Sequence, residues 1–281
     1  MKVQASTRQV RGIATVIHAS GQPGPEAIVF VHGNPSSGLD WSELLAAAGE
    51  LAYSVAPDMP NYGRSERPPQ FECSVEGYAS HLTAVIDQLG IRRAHLVLHD
   101  FGGPWGLTWA AAHLDQVASV TLINVGMVPG YRWHKYARIW QTPILGELFM
   151  ACATPATARM LLNLENPRPF PEAFVQNVLQ NLDAESKRAQ LALYRATRDL
   201  AALSEQLGRQ LAPSKIPALV VWGEDDRNMP ARYAAVQSQY FAVSATHVLP
   251  GCGHWPFVDE PEKCRALLLP FLRQQLLGAA A

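Results

Sequence analysis

Short runs rich in Val, Ile, Leu and Ala alternate along the chain with longer segments whose apolar residues recur three and four positions apart. Residues 27–31, 52–56, 94–98, 119–124, 218–222 and 246–249 read as strands buried on both faces, and the periodic segments between them read as helices. Strands separated by helices predict an α/β fold, a mostly parallel, doubly wound sheet with helices on both faces. From Gly126 to about Ser214 the strand signals stop. Ile139, Leu145, Leu148 and Phe149, then Val175, Val178, Leu179 and Leu182, keep helical spacing, and Val128-Pro129-Gly130, Pro213 and Pro217 punctuate the ends. This predicts an inserted helical cap at 126–214 between two parts of one core, 1–125 and 215–281. The small-residue tail after Gly278 is expected to fray.

The chemistry-bearing motifs all fall just after predicted strands, where parallel sheets bind ligands. After the third strand, His99-Asp100-Phe101-Gly102-Gly103 places an aspartate where a strand turns into a helix among small residues. Such an elbow lifts its central side chain clear of the sheet, and in many hydrolases that side chain is a serine. A carboxylate there is ionised at neutral pH without a base and attacks an electrophilic carbon directly, giving an ester. Epoxides and alkyl halides are therefore the leading substrates. Asp100 also suits a helix N-cap, the bland alternative. An ester at Asp100 needs a base to hydrolyse it and an acid to orient that base. Gly251-Cys252-Gly253-His254-Trp255 supplies His254, and Trp222-Gly223-Glu224-Asp225-Asp226 supplies Asp226, with Asp225 as runner-up. The turn His32-Gly33-Asn34-Pro35 aims the Asn34 N–H at the same crevice, where with the Phe101 N–H it makes an oxyanion hole. His18, His81, His95, His113, His134 and His247 carry no partner signature, and no metal-ligand spacing occurs, so neither metal nor cofactor is expected.

Composition narrows the setting. With 281 residues, 48% of them hydrophobic, the chain can bury a single large core. A net charge of −1, with no long run of either sign, argues against nucleic acid or a membrane as partner. Four scattered cysteines without a C-x-x-C pair suit free thiols. The first residues lack the apolar stretch of a secretory signal, so a soluble cytoplasmic protein is expected, as monomer or homodimer.

Together His32-Gly33-Asn34-Pro35, Tyr62-Gly63-Arg64-Ser65, the Asp100 elbow, Trp222–Asp226 and Gly253-His254 resemble the α/β-hydrolase superfamily, in its branch of epoxide hydrolases and haloalkane dehalogenases. The resemblance implies the α/β-hydrolase fold and a small apolar substrate with water. Two cap tyrosines donate to the opening epoxide in that branch, and the match carries the role onto Tyr136 and Tyr194, leaving Tyr131 as substitute. His32, Trp133, Trp140 and Trp255 are the candidate pocket residues, although tryptophans more often pack in cores. A dehalogenase holds its halide with a tryptophan after the nucleophile and an asparagine like Asn34; here the first place is Phe101, which has no donor. Fluoroacetate dehalogenases carry arginines where this chain has Phe101 and Pro104. The leading expectation is an epoxide hydrolase forming a vicinal diol, with a haloalkane dehalogenase as alternative and a ligand-binding hydrolase fold without turnover ranked lower.

Overall fold

The computed structural model describes residues 1–278, so the tail expected to fray, 279–281, lies outside the described residues. Among the described residues eight strands form one sheet: β1 (Gln4–Val10), β2 (Ile13–Ser20), β3 (Glu26–Val31), β4 (Tyr53–Pro57), β5 (Arg93–His99), β6 (Val117–Ile123), β7 (Pro217–Gly223) and β8 (Ala242–Leu249). Their order is β1-β2-β4-β3-β5-β6-β7-β8; β1–β2 and β2–β4 pair antiparallel, every other pair parallel. The six strands read from apolar runs are all present. The β1–β2 hairpin is additional, and the pattern hides it because β1 lies exposed at the sheet edge along nearly its whole length, so no apolar face was needed.

Helices α1 (Ser42–Ala48), α2 (Val75–Gln88) and α3 (Gly102–Ala112) precede β6. Between β6 and β7 the chain makes α4 (Lys135–Gln141), α5 (Leu145–Ala151), α6 (Pro155–Glu165), α7 (Glu172–Leu179), α8 (Ala184–Ala196) and α9 (Leu200–Leu211), the inserted helices. The short α10 (Arg232–Val236) and α11 (Pro256–Asp259) and the long α12 (Pro261–Gly278) complete the described residues.

Alternation along the parallel strands sorts the core into two layers, because successive side chains point to opposite faces. Val29, Val31, Leu96, Leu98, Val220 and Trp222 join Leu82, Trp105, Leu107 and Leu207 of α2, α3 and α9 on one face. Ile28, Phe30, Val97, Leu219 and Val221 join Leu45, Leu268 and Phe271 of α1 and α12 on the other. At about 25 cal/mol per Å² of apolar surface removed from water, these layers supply the main drive to fold. The chain runs from β3 outward to β4 and then back across to β5, so the loops after β3 and β5 diverge and open a crevice at the carboxyl ends of those strands. One helical stripe faces the other way: Leu145 and Leu148 of α5 are exposed, whereas the Val175 and Val178 stripe of α7 is buried.

Candidate active site

Asp100 stands at the turn from β5 into α3 with φ 48°, in the left-handed region that only a short polar side chain or glycine occupies cheaply. The turn closes because the backbones approach without side chains between them. A methyl on Gly33 would overlap the Asp100 carboxyl, and one on Gly102 would meet the Val31 carbonyl oxygen. Thus held, Asp100 Oδ1 accepts the Asn34 N–H at 2.7 Å, while Oδ2 lies 3.3 Å from His254 Nε2.

His254 arrives on the loop after β8, fixed by His99, whose Nε2–H donates to the His254 carbonyl at 2.7 Å. Its Nδ1 donates to Asp226 Oδ2 at 2.7 Å. Asp226 follows β7 and is buried, where an unpaired charge would be costly. It is satisfied from both sides: Asn124 Nδ2 donates to Oδ2 at 2.6 Å, and the Asn228 and Met229 N–H groups donate to Oδ1 at 2.8 and 2.9 Å. Asn124, at the end of β6 with φ 49°, also accepts the Gly223 N–H at 3.0 Å and donates to the Gly253 carbonyl at 3.3 Å. Glu224 and Asp225 are exposed, so the geometry pairs His254 with Asp226 and not with the runner-up.

Burial disfavours ionisation of all three groups, and their mutual charges outweigh it. Asp100 is held at about 2 because its hydrogen bond and attraction to His254 overcome desolvation. Asp226 is likewise lowered, against burial, by the His254 charge. Against its own desolvation, His254 is pushed up to about 10 by the Asp226 charge and by both carboxylate contacts. The resting site is an imidazolium between two carboxylates.

Above Asp100 and His254 lies a cavity of about 430 Å³, its open mouth included. Phe101, Val128, Trp133, Leu200 and Met229 give it apolar walls; Tyr131, His134 and Asn228 add polar groups, and neither lysine nor arginine lines it.

The sequence candidates distribute unevenly around this space. Asp100, Phe101, His254 and the ring of Trp133 line it, with Asp226 and Asn34 directly behind. Tyr194 is buried with its ring edge-on to Phe101 at 5.0 Å, and burial, then the Asp100 charge, raise its phenol well above the ordinary value. Tyr136 is turned elsewhere: its hydroxyl donates to Glu165 Oε1 at 2.9 Å, an oxygen shared with Lys135. Trp133 Nε1 donates to the Thr197 and Arg198 carbonyls at 2.9 and 3.0 Å, so that donor is committed. Trp140 packs behind Tyr194 at 4.8 Å, and Trp255 packs against Phe170 and Phe174. Both ring nitrogens of His32 are engaged in loop packing: Nδ1–H donates to the Gly33 carbonyl at 2.7 Å, and Nε2 accepts the Met59 N–H at 3.0 Å. Tyr131 donates to the Asn228 carbonyl at 2.9 Å.

One cavity residue had no signal in the sequence. His134 caps α4, its Nδ1 accepting the Ala137 N–H at 3.3 Å, which leaves the proton of the neutral ring on Nε2. Burial keeps it neutral, at about 4, despite the nearby Asp100 charge.

The sequence profile of the alpha/beta hydrolase family matches residues 28–267. The chain belongs to that family. This α/β hydrolase is 26% identical over 272 residues to the 2-hydroxymuconate semialdehyde hydrolase of Pseudomonas sp. (strain CF600), covering 94% of this chain and 92% of that one. It is 24% identical over 280 residues to epoxide hydrolase 3 of Xenopus tropicalis, covering 92% and 74%. Among solved structures, the α/β hydrolase superposes on a loop variant of haloalkane dehalogenase DbeA from Bradyrhizobium elkanii with a TM-score of 0.85 at 21% identity, covering 100% of both chains. It superposes on epoxide hydrolase CorEH with a TM-score of 0.82 at 18% identity, covering 97% and 99%. These structural likenesses are likenesses of fold. Among its described residues, no helix is long and apolar enough to cross a membrane, and no cluster of side chains has the make-up of a metal site.

Proposed function

We propose that this α/β hydrolase opens a small neutral epoxide to a vicinal diol through a covalent ester on Asp100. The observation that carries the reading is the 2.7 Å hydrogen bond from the Asn34 N–H to Asp100 Oδ1. A carbonyl substrate would need that donor for its own oxyanion; here the nucleophile's second oxygen occupies it. The arrangement therefore suits displacement at a saturated carbon, followed by water attack on the enzyme's own ester.

In the first step Asp100 Oδ2 bonds to an epoxide carbon and the carbon–oxygen bond breaks. The electron pair stays on the departing oxygen, which accepts hydrogen bonds from the Tyr194 phenol and the His134 Nε2–H. Alkylation also sets the timing of the second step. Once Asp100 is a neutral ester, His254 loses one of the two carboxylates that keep it protonated and its pKa falls; its proton passes to the new alkoxide, completing the first hydroxyl and leaving a neutral base oriented by Asp226. It then takes a proton from water, the resulting hydroxide attacks Asp100 Cγ, and the oxyanion on Oδ1 rests on the Asn34 and Phe101 N–H groups. Collapse releases the diol, with His254 returning the proton.

The test is a single turnover in ¹⁸O-water. Label in the Asp100 carboxylate, together with a stable epoxide-sized mass increase on His254→Gln, supports the ester route; label only in the diol sinks it. A second reading, haloalkane dehalogenation, draws on Asn34. Its Oδ1 accepts the Tyr62 hydroxyl at 2.9 Å, while its buried Nδ2 has no partner and is free to hold a halide. Bromide release from bromoalkanes, without diol from epoxides, would favour that reading.

A further inference from the structure

Where α6 ends, three consecutive residues of the inserted helices reach three parts of the site. The Leu164 carbonyl accepts Arg227 Nη1–H at 2.8 Å, next to Asp226 in the chain. Glu165 bonds Tyr136 of α4, the helix that His134 caps. Asn166 Nδ2 donates to Asp259 Oδ1 at 2.7 Å and to the Arg168 carbonyl at 3.0 Å. Asp259, at the end of α11, turns its other oxygen to the loop that carries the base: Oδ2 accepts the Gly253 N–H at 2.7 Å. Arg168 closes the arrangement, Nη1–H donating to the Asp259 carbonyl at 3.0 Å.

The backbone at His254 is thereby held from two sides. The sheet side grips the carbonyls, Asn124 that of Gly253 and His99 that of His254. The inserted helices grip the Gly253 N–H through Asn166 and Asp259. A methyl on Gly253 would overlap Asn166 Oδ1 and the Pro167 ring, so the loop must be bare at this point for the two segments to touch. Asn166 is buried, and among the described residues its Oδ1 has no partner, a cost offset by the two bonds its NH₂ makes. Asp100 is held separately, by its own turn and the Asn34 N–H. Loosening Asp259 therefore moves the base and leaves the nucleophile in place.

We infer that Asp259, braced by Asn166, is a positioning residue for His254 in the water-activating half of the reaction. This rests on the ester reading for the step it governs, and it holds whether an epoxide or a bromoalkane supplies the ester. A carboxylate engaged through both oxygens allows the loop one position. Once released, the imidazole drifts from the line between water and Asp100 Cγ, and a displacement of about 1 Å slows ester hydrolysis by up to ~10²-fold. Ester formation needs no base and keeps its rate.

The experiment follows Asp259→Ala, Asn166→Ala and a control, Arg159→Ala, through single turnovers of styrene oxide and 1-bromobutane by rapid quenching and intact mass. The control breaks an exposed ion pair between α6 and Glu172 of α7 and neither loop contact. The ester should form at the wild-type rate in all three. Its decay should slow by up to ~10²-fold in Asp259→Ala, less in Asn166→Ala, and not in Arg159→Ala. Wild-type decay in Asp259→Ala, equal slowing of both steps, or equal slowing in the control overturns the proposal; a merely structural contact would lower Tm without separating the steps. Where Asp259→Ala does not fold, Asn166→Ala decides. A second readout needs no substrate. The low-field ¹H NMR signal of His254 Nδ1–H, bonded to Asp226 at 2.7 Å and absent from His254→Gln, should broaden in Asp259→Ala and stay sharp in the control. If His254→Gln traps no ester from either electrophile, the ester reading falls and this signal judges the positioning: broadening retains it, an unchanged signal removes it.

Discussion

Replacing Asp226 by asparagine keeps the shape beside His254 and removes one charge. The imidazolium and carboxylate are linked by a 2.7 Å hydrogen bond; with charge centres ~4 Å apart and an effective dielectric constant of ~20, they attract by ~4 kcal/mol. A tenfold change in an acid constant corresponds to about 1.4 kcal/mol, so His254 should fall from about 10 to roughly 7 in the variant. The amide also meets conflicting demands. One side faces His254 and Asn124, the other faces the Asn228 and Met229 N–H groups, and an NH₂ on either side leaves donors facing a donor, costing about 1–3 kcal/mol of stability. If the NH₂ faces His254, the imidazole proton moves to Nε2 and the ring can no longer take one from water. Ester formation needs no base and should persist, whereas turnover should drop by roughly 10³ to 10⁴. Rapid quenching followed by intact mass measurement should show about one equivalent of epoxide consumed and held. A variant that turns over at the wild-type rate would refute the assignment of Asp226 and the charge argument with it.

The remaining expectations follow from the same contacts. Because the folded-state value of His254 lies above its ordinary 6.5, its contribution to stability is complete below that value and is lost as pH rises toward about 10; denaturant midpoints between those limits should decline in the wild type and flatten in His254→Gln. Tyr194→Phe should slow ester formation by about 10², while Tyr136→Phe, whose hydroxyl serves Glu165, should leave the rate nearly unchanged; stopped-flow measurement separates the two. Ile144 is 74% exposed with φ 70° and ψ −51°, a costly conformation for a β-branched residue, so Ile144→Gly should stabilise the protein by ~1 kcal/mol, read as a higher Tm. Gly102→Ala should reduce folded yield, since its methyl would overlap the Val31 and His32 carbonyls, backbone that cannot swing aside as a side chain could.

Residues whose surroundings demand a particular chemistry on both sides were legible in the chain. Five of the six parallel strands, β3 to β7, are buried on two faces and must be apolar, whereas β8, at the sheet edge and alternately exposed and half-buried, does not have the two buried faces its apolar run suggested; Asp100, Asp226 and His254 sit in turns whose glycines mark them. The β1 strand escaped because a hairpin at the sheet edge is held by backbone pairing and tolerates polar side chains on both faces. Rotation was the other blind spot. Spacing identifies a helix, yet it does not say which way the helix turns around its axis; Tyr136 and His134 lie two residues apart, and only packing decides that the histidine meets the cavity while the tyrosine meets Glu165. Asn124 left no trace because its role is to satisfy Asp226, a partner about a hundred residues away.

The stem of the inserted helices has a consequence of its own. The chain leaves the sheet layer at Val128 and rejoins it through α9, and these two points are bonded, the Val128 N–H to Ser204 Oγ at 2.6 Å. Everything from α4 to α8 is thus an excursion whose two feet touch. Closing a longer or shorter excursion on fixed feet changes the entropic cost only by about 0.6 kcal/mol per doubling of length. The feet are not the segment's only hold on the rest of the molecule: Phe174, Val175 and Val178 of α7 pack in one core layer with Leu45 and Phe271, and Asn177 and Asn181 bond to Ser37 and Gly63, so a graft that replaced these helices would have to rebuild that contact while leaving the sheet unchanged.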